Sequence, residues 1–581
     1  MNNDGIMSLE KLVVLFVDCQ TTGPKPEQAD IVEIGWARSD DYCEDCEVVR
    51  VNTRLLRLPS GRVLPPRVQT ITGITDDELS VGCDPEEVWL QIQSAAKVIE
   101  GLNDMEKCPL VIHFAKFELP FLQQLHVNHG SCKDFPFLTL CTHEIARRLF
   151  PSLPRRSIRA MAGYFGYSLP RLRRCREHVE ATAWIWRAMV KVLVERYGVD
   201  TLKRLLQWLQ DFGVITSAQT VYPMSVSTRS NLPDEPGVYR MLRSNGDVLY
   251  VGKARSLRQR VSSYFRKGSR HPEHILEMLS QARKLDVTVA RSTLEAAILE
   301  SDEIKRFSPP YNRALCRNDR QVWFCSSDFV EFEAVPTRRC IIGPVVCREC
   351  VSRLAAISQL VRMEDAWIAD EELLNASMGI PIEYTPDSRI IASGVTLFCR
   401  RYRRILGKGS PQHGLIEIGK QLWLQRQRDK EMQNDEPEDF QLESVRVPAW
   451  TAESVCHHIE SNLARAAHEV RRARWFVLLC ESSIYWEERR GELSQEFLAV
   501  FDSGQVLYLR EMDVVDIPVP PRYEKKYKER QSNFDLMTFD RMRVVTTEIR
   551  KAVSEKRMIR LRFNPHHFLD RKSLSGILKW I

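Results

Sequence analysis

Two β-rich runs joined by Ser-Asn-Gly-Asp, GVYRML at 237–242 and DVLYVG at 247–252, fix the middle of this chain as a hairpin. Asn-Gly between alternating apolar segments supplies the backbone conformations a tight reversal needs. The basic stretch ARSLRQRVSSYF follows as a helix, and TLEAAILESDEIKRF at 293–307 reads as an amphipathic one. Tyr239 and Tyr250 therefore fall on paired strands and converge. Gly252 lets the backbone turn closely into the helix that carries Arg260. Glu300 sits in the apolar stretch AAILES, where a carboxylate is unwelcome without a partner.

These residue types suit phosphodiester hydrolysis, which needs a polarised phosphate, an activated water and neutralisation of the leaving oxygen. One carboxylate suffices for a hard cation, Mg²⁺ or Mn²⁺, when water and phosphate oxygens fill the other positions. Glu300 is the candidate ligand. A tyrosine near Arg and Lys has its phenolate favoured, which suits a general base. Charge runs are usually solvated faces. Lys253, Arg255, Arg258, Arg260, Arg266, Lys267 and Arg270 lie inside this pattern, however, so phosphate contact is expected of them.

The segment 231–315 resembles the GIY-YIG nuclease domain, specifically that of the UvrC excinuclease subunit and its Cho homologue. LPDEPGVYRM, VLYVGKARSLRQRVSSYF and LEAAILESDEIKRFSPPYN carry the likeness, which extends weakly to Ile342-Gly343-Pro344. The resemblance implies that Tyr250 is the general base and Tyr239 the first-motif tyrosine. It implies that Lys253 supports them, that Arg260 clamps phosphate and that Glu300 holds the metal. Asn312 falls on the family's structural asparagine, and with Arg255, Arg258, Arg266 and Lys267 it makes up the expected DNA-contacting set. No four-cysteine iron–sulfur run follows, and no second nuclease with an acidic triad, which implies a Cho-like single incision.

Ahead of it, LVVLFVD, VEIGWARSD and CPLVIHFA read as strands, Asp84-Pro85 as a helix start, and EHVEATAWIWRAMVKVLVERYG as a long helix. Ala181, Ile185, Ala188 and Val192 form one stripe of that helix, and Gly198 stops it. The order gives an α/β domain. FVDCQTTG, LPPRVQTITGITDDEL, HFAKFELPFL, IARRLFPSLPRRSIRAMAGYFGYSL and EATA resemble the DnaQ-like (DEDDh) 3′–5′ exonucleases, which implies an RNase H-like mixed sheet with helices. That family uses four carboxylates to hold two cations and a histidine to activate water. Here Asp18 is kept, Gln20 replaces a glutamate, Glu118 a shorter aspartate, His178 another aspartate, and Arg173 the histidine. Two anionic ligands are gone, so an inactive exonuclease site that grips DNA or a partner is expected. A single-metal site of Asp18, Glu118 and His178 is the alternative.

The expected domains are 8–200 (exonuclease-like), 201–230 (linker), 231–315 (nuclease), 316–425 (α+β), 426–443 (polar linker) and 444–581 (α+β). In the last, RWFVLLCESSIYWEE and EFLAVFDSGQVLYLREM read as strands and FDRMRVVTTEIRKAVSE as a helix. The 16 cysteines are scattered, with Cys43/Cys46 and Cys347/Cys350 as two Cys-x-x-Cys pairs; unpaired thiols are expected. The net charge of +6 does not by itself imply nucleic acid. The opening MNNDGIMSLEKLVVLFVD has too short an apolar run for a signal peptide, and no apolar run reaches membrane-spanning length, so a cytoplasmic protein without membrane contact is expected. The leading expectation is a metal-dependent DNA endonuclease of nucleotide-excision-repair type, acting with a damage-recognition complex or DNA polymerase components. A dual nuclease with an active exonuclease and a non-catalytic repair or replication adaptor are the alternatives.

Overall fold

The apolar run LFVDCQT forms the strand Leu15–Thr21, the middle of a five-stranded sheet ordered 52–55, 31–38, 15–21, 108–112, 137–141. It runs antiparallel to Ile31–Arg38 and parallel to Cys108–Ile112, giving the mixed sheet expected. The computed structural model describes residues 7–581 apart from 44–47, 131–133, 169–171, 212–219, 267–269, 314, 316–319, 363–370, 381–384, 408–409, 434–449, 491–492, 512–516, 525 and 532–533. Strand alternation sends Leu15, Val17 and Cys19 into one core with the helices Pro85–Asn103 and Ala115–His129. Phe16 enters a second core with Val179 and Ile185 of the long helix Cys175–Tyr197. Asp84 caps Pro85–Asn103 by accepting the Glu86 N–H, and Gly198 ends the long helix with φ 64°. The expected stripe on that helix is corrected in part. Ala188 and Val192 are half-buried, while Trp186, Met189 and Leu193 take the core, because the helix is flanked on more than one side.

The middle unit is a three-stranded antiparallel sheet ordered 284–289, 237–242, 248–254, with the hairpin turned at Gly246 (φ 97°). The helices Leu257–Ser263, Glu273–Gln281 and Thr293–Phe307 accompany it. It docks on the N-terminal unit through Glu273–Gln281. A Cβ on Gly163 would lie 1.8 Å from the Gln281 Oε1, so only glycine admits this approach.

Beyond it, a three-stranded sheet (332–333, 323–325, 342–345) precedes a helical bundle that shares one core with the helix Ala452–Leu479. Three expectations change here. RWFVLL is the end of that helix rather than a strand, since a short apolar run does not reveal its period. Arg426–Gln433, expected as linker, continue the helix Pro411–Gln433. Cys347 and Cys350, expected as free thiols, form a disulfide where their spacing at a helix start brings the Cα atoms to 5.4 Å; the Cys43/Cys46 pair lies on side chains outside those described. The last sheet is antiparallel, ordered 505–511, 493–502, 483–490, 559–562, 568–570, and the helix Leu536–Ser554 packs with it.

This last unit and the middle unit share a core. Leu294 and Ile298 of Thr293–Phe307 pack in one cluster with Trp486, Phe497 and Ile549. Beside them Asp540, fully buried, pairs with Lys305 at 2.8 Å and Arg320 at 2.9 Å. Removing one partner of a buried ion pair strands the others in low dielectric. Asp540→Ala should therefore cost about 3–5 kcal/mol, read as a fall in the melting temperature of the full chain.

Candidate active site

The hairpin sets Tyr239 directly across from Gly252. A Cβ at Gly252 would meet the Tyr239 hydroxyl at 2.5 Å and the Tyr250 ring at 2.7 Å, so glycine is what allows both tyrosines to converge. Tyr239 is fully buried and its hydroxyl hydrogen-bonds that of Tyr264 at 2.9 Å. The rings of Tyr239 and Tyr250 lie 6.0 Å apart. Arg260 lies over the Tyr264 ring at 5.2 Å. On the opposite side Glu300 Oε1 accepts the Lys253 backbone N–H at 2.9 Å.

One electrostatic expectation is overturned. Burial first, then Tyr264 and the Glu300 charge, push the Tyr250 phenol up, and the pull of Arg260 does not offset them. Burial and the neighbouring tyrosines also push Tyr239 up. Burial raises Glu300 as well, against the Lys253 N–H and ammonium; the Glu548 charge adds to the rise. A site of this kind favours extra positive charge.

The remaining predicted contacts are placed less uniformly. Asn312 turns inward, accepting the Val251 N–H at 2.9 Å and donating to the Val251 carbonyl at 2.8 Å, so it braces the strand instead of facing DNA. Arg258 donates to the Leu232 carbonyl, and Arg255 pairs with Glu555 at 3.0 Å. Arg266 is exposed; Lys267 lies outside the described residues.

A second site occupies a cleft of about 970 Å³ in the N-terminal unit. Asp18, Gln20, Glu118 and His178 line it, with His113 and His143, which the sequence reading missed. Pro272, Glu273, His274, Glu277 and Arg313 of the middle unit form part of its wall. His178 Nδ1 lies 3.0 Å from Asp18 Oδ1. Burial works against the His178 imidazolium, but Asp18 outweighs it and leaves the group raised. Burial and Asp18 push Glu118 well up. Asp18 Oδ2 and Glu118 Oε2 are buried without hydrogen-bond partners. Arg173 is exposed. Among the described residues no group of three or more His, Cys, Asp or Glu converges as a metal site.

The family profile described as a UvrC-like GIY-YIG domain matches residues 235–313, and that of an exonuclease family matches 15–170. The chain joins a DnaQ-like exonuclease domain to a UvrC-like GIY-YIG domain. A bifunctional exonuclease/endonuclease protein of Mycobacterium tuberculosis is 29% identical over 364 residues, 60% of this chain and 53% of that protein. The UvrABC system protein C of Nitrosomonas eutropha is 53% identical over 89 residues, 15% of this chain and 14% of that protein. The matches thus span about half, or much less, of those relatives' lengths. Among solved structures, the GIY-YIG N-terminal endonuclease domain of UvrC from Thermotoga maritima bound to magnesium is 34% identical, covering 15% of this chain and 92% of that one, with a TM-score of 0.14.

Two residues of the GIY-YIG domain's surroundings escaped the sequence reading. Tyr264 carried a usable signal, since it follows Arg260 by four residues and so shares its helical side. Glu548 carried none. Among predictions, Gly252→Ala should overpack the tyrosine pair, lowering stability by about 1–3 kcal/mol and changing the near-ultraviolet dichroism of the tyrosines. In the exonuclease domain, burial and the neighbouring His143 lower His113 to about 3. The unfolded chain therefore takes up that proton first. No penalty exists above the ordinary imidazole range, and it grows as pH falls from there toward 3. His113→Asn should flatten the acid limb of the melting-temperature profile.

Proposed function

We propose that the GIY-YIG domain is a metal-dependent DNA endonuclease of repair type and that the exonuclease domain binds DNA or a partner without degrading it. The observation that carries this is the convergence of Tyr239, Tyr250, Lys253, Arg260 and Glu300 at one end of the hairpin. Glu300 fits a hard cation: it is an oxygen donor with one oxygen turned onto a backbone N–H and few competing partners. Mg²⁺ or Mn²⁺ held there with water supplies the positive charge that polarises the phosphate and favours a phenolate. Arg260 clamps the phosphate, Tyr250 takes the proton of the attacking water, and Tyr239 and Tyr264 orient Tyr250. The setting we propose is nucleotide excision repair, with a damage-recognition complex or polymerase components as partners; the likeness to UvrABC system protein C supports the setting. Among the described residues no helix is long and apolar enough to cross a membrane, in keeping with a cytoplasmic role.

A second reading keeps the exonuclease active. The unpartnered Asp18 and Glu118 oxygens fit a cation, and the mycobacterial relative is named for both activities. An imidazole at His178, 3.0 Å from Asp18, in place of an anionic ligand favours the first reading.

Supercoiled plasmid with Mg²⁺ should be nicked by the intact chain, and Glu300→Ala should slow nicking by about 100-fold or more. Asp18→Ala should leave nicking unchanged. Nicking that survives Glu300→Ala overturns the assignment, and 3′ trimming lost in Asp18→Ala establishes the dual nuclease.

A further inference from the structure

Glu548 lies on the helix Leu536–Ser554, far along the chain from the GIY-YIG domain, yet its Oε1 is 2.5 Å from the Lys253 ammonium. It is 7% exposed, and its Oε2 is buried without a hydrogen-bond partner. A carboxylate taken this far from water is stable only against positive charge. Lys253 is thereby held between two carboxylates, its backbone N–H on Glu300 and its ammonium on Glu548.

The placement is not loose. Two turns earlier on the same helix, Asp540 binds Lys305 and Arg541 binds Asp302 at 2.9 Å. Asp302 and Lys305 lie on the helix that carries Glu300. Thr293, at the start of that helix, donates its hydroxyl to Glu488 of the last sheet at 2.7 Å. The helix bearing Glu548 is fastened to the helix bearing Glu300 by buried ion pairs, and swinging it away would break them. We propose that Glu548 is a positioning residue of the GIY-YIG site, contributed by the C-terminal region, which holds the Lys253 ammonium beside Glu300 for the cut. The inference rests on the reading of Glu300 as the cation's ligand. It makes the last unit part of the nuclease, so that residues 231–315 alone are an incomplete catalytic body.

The opposite arrangement is phosphate mimicry, in which Glu548 and Glu555 occupy Lys253 and Arg255 where DNA belongs. A mimic has to leave, and the buried fastening argues against departure.

The test compares the full chain with Glu548→Gln, Glu548→Asp and Glu555→Gln, using plasmid nicking over a range of DNA concentration and Mn²⁺ binding by electron paramagnetic resonance. Glutamine keeps the shape and an acceptor, so melting temperature serves as the folding control. Glu548→Gln should lower kcat by about tenfold with KM for DNA within about twofold, and raise the half-saturating Mn²⁺ by about threefold or more. Glu548→Asp should recover part of both losses. Glu555→Gln, at a more exposed pair, should match the parent. Parent-like kcat and Mn²⁺ binding in Glu548→Gln would overturn the proposal. Faster nicking or tighter DNA binding would overturn it in favour of mimicry. If Glu300→Ala leaves Mn²⁺ binding and nicking intact, the underlying cation site has failed instead, and the inference with it.

Discussion

The helix Thr293–Phe307 is the hinge of the architecture in the energetic sense, because it belongs to two cores at once. One face closes the GIY-YIG sheet, through Ile304 against Val238 and Val251. The other gives Leu294 and Ile298 to the core of the last unit. Between those faces the chain has to accommodate polar groups in a dry interface, and it does so by pairing: Asp302 with Arg541, Lys305 with Asp540, and the Thr293 end with Glu488. Such pairs add little net stability compared with apolar packing, but they fix register, since each charge has one place where it is answered. Glu300 inherits its position from that register.

The same logic explains why the two candidate sites differ. At the GIY-YIG site three charged groups each meet a complement: Glu300 a backbone N–H, Lys253 a carboxylate, Arg260 a tyrosine ring. In the exonuclease domain Asp18 Oδ1 lies 3.0 Å from the His178 imidazole, where the DnaQ-like pattern has an anionic ligand. The cleft around it is nevertheless large and walled partly by the GIY-YIG domain, through His274 and Arg313. A strand end bound there would contact both domains. Arg155 and Ser157 are spent on this docking, on Glu273 and Glu277.

Much of this was legible in the sequence, and the physical reason is locality. The hairpin, the helices Leu257–Ser263 and Thr293–Phe307 and the residues Tyr239, Tyr250, Lys253, Arg260 and Glu300 lie within one continuous segment, so turn chemistry and periodicity place them. Burial is what sequence conveyed poorly. The tyrosines were read as lying near cations that favour phenolate, whereas burial, with the neighbouring phenols, pushes Tyr239 and Tyr250 up. Asn312 was expected both as the family's structural asparagine and among the DNA contacts, and its turn onto Val251 fits the structural role. Glu548 sits in FDRMRVVTTEIRKAVSE, where nothing distinguishes it from a solvated glutamate; only the packing of the last sheet delivers it to Lys253. The helix end RWFVLL was misread for a related reason, since so short an apolar run does not show its period.

The central claim is that cutting happens inside the duplex, at the GIY-YIG domain, and not from its ends. A lesion-bearing duplex labelled with different dyes at the 5′ and 3′ ends of one strand, incubated with the intact chain and Mg²⁺, tests this most directly. The account predicts two discrete labelled fragments whose lengths sum to the strand, appearing together. A 5′-labelled ladder that shortens progressively from the 3′ end, with no discrete internal fragment, would contradict it and return the catalytic role to the exonuclease domain.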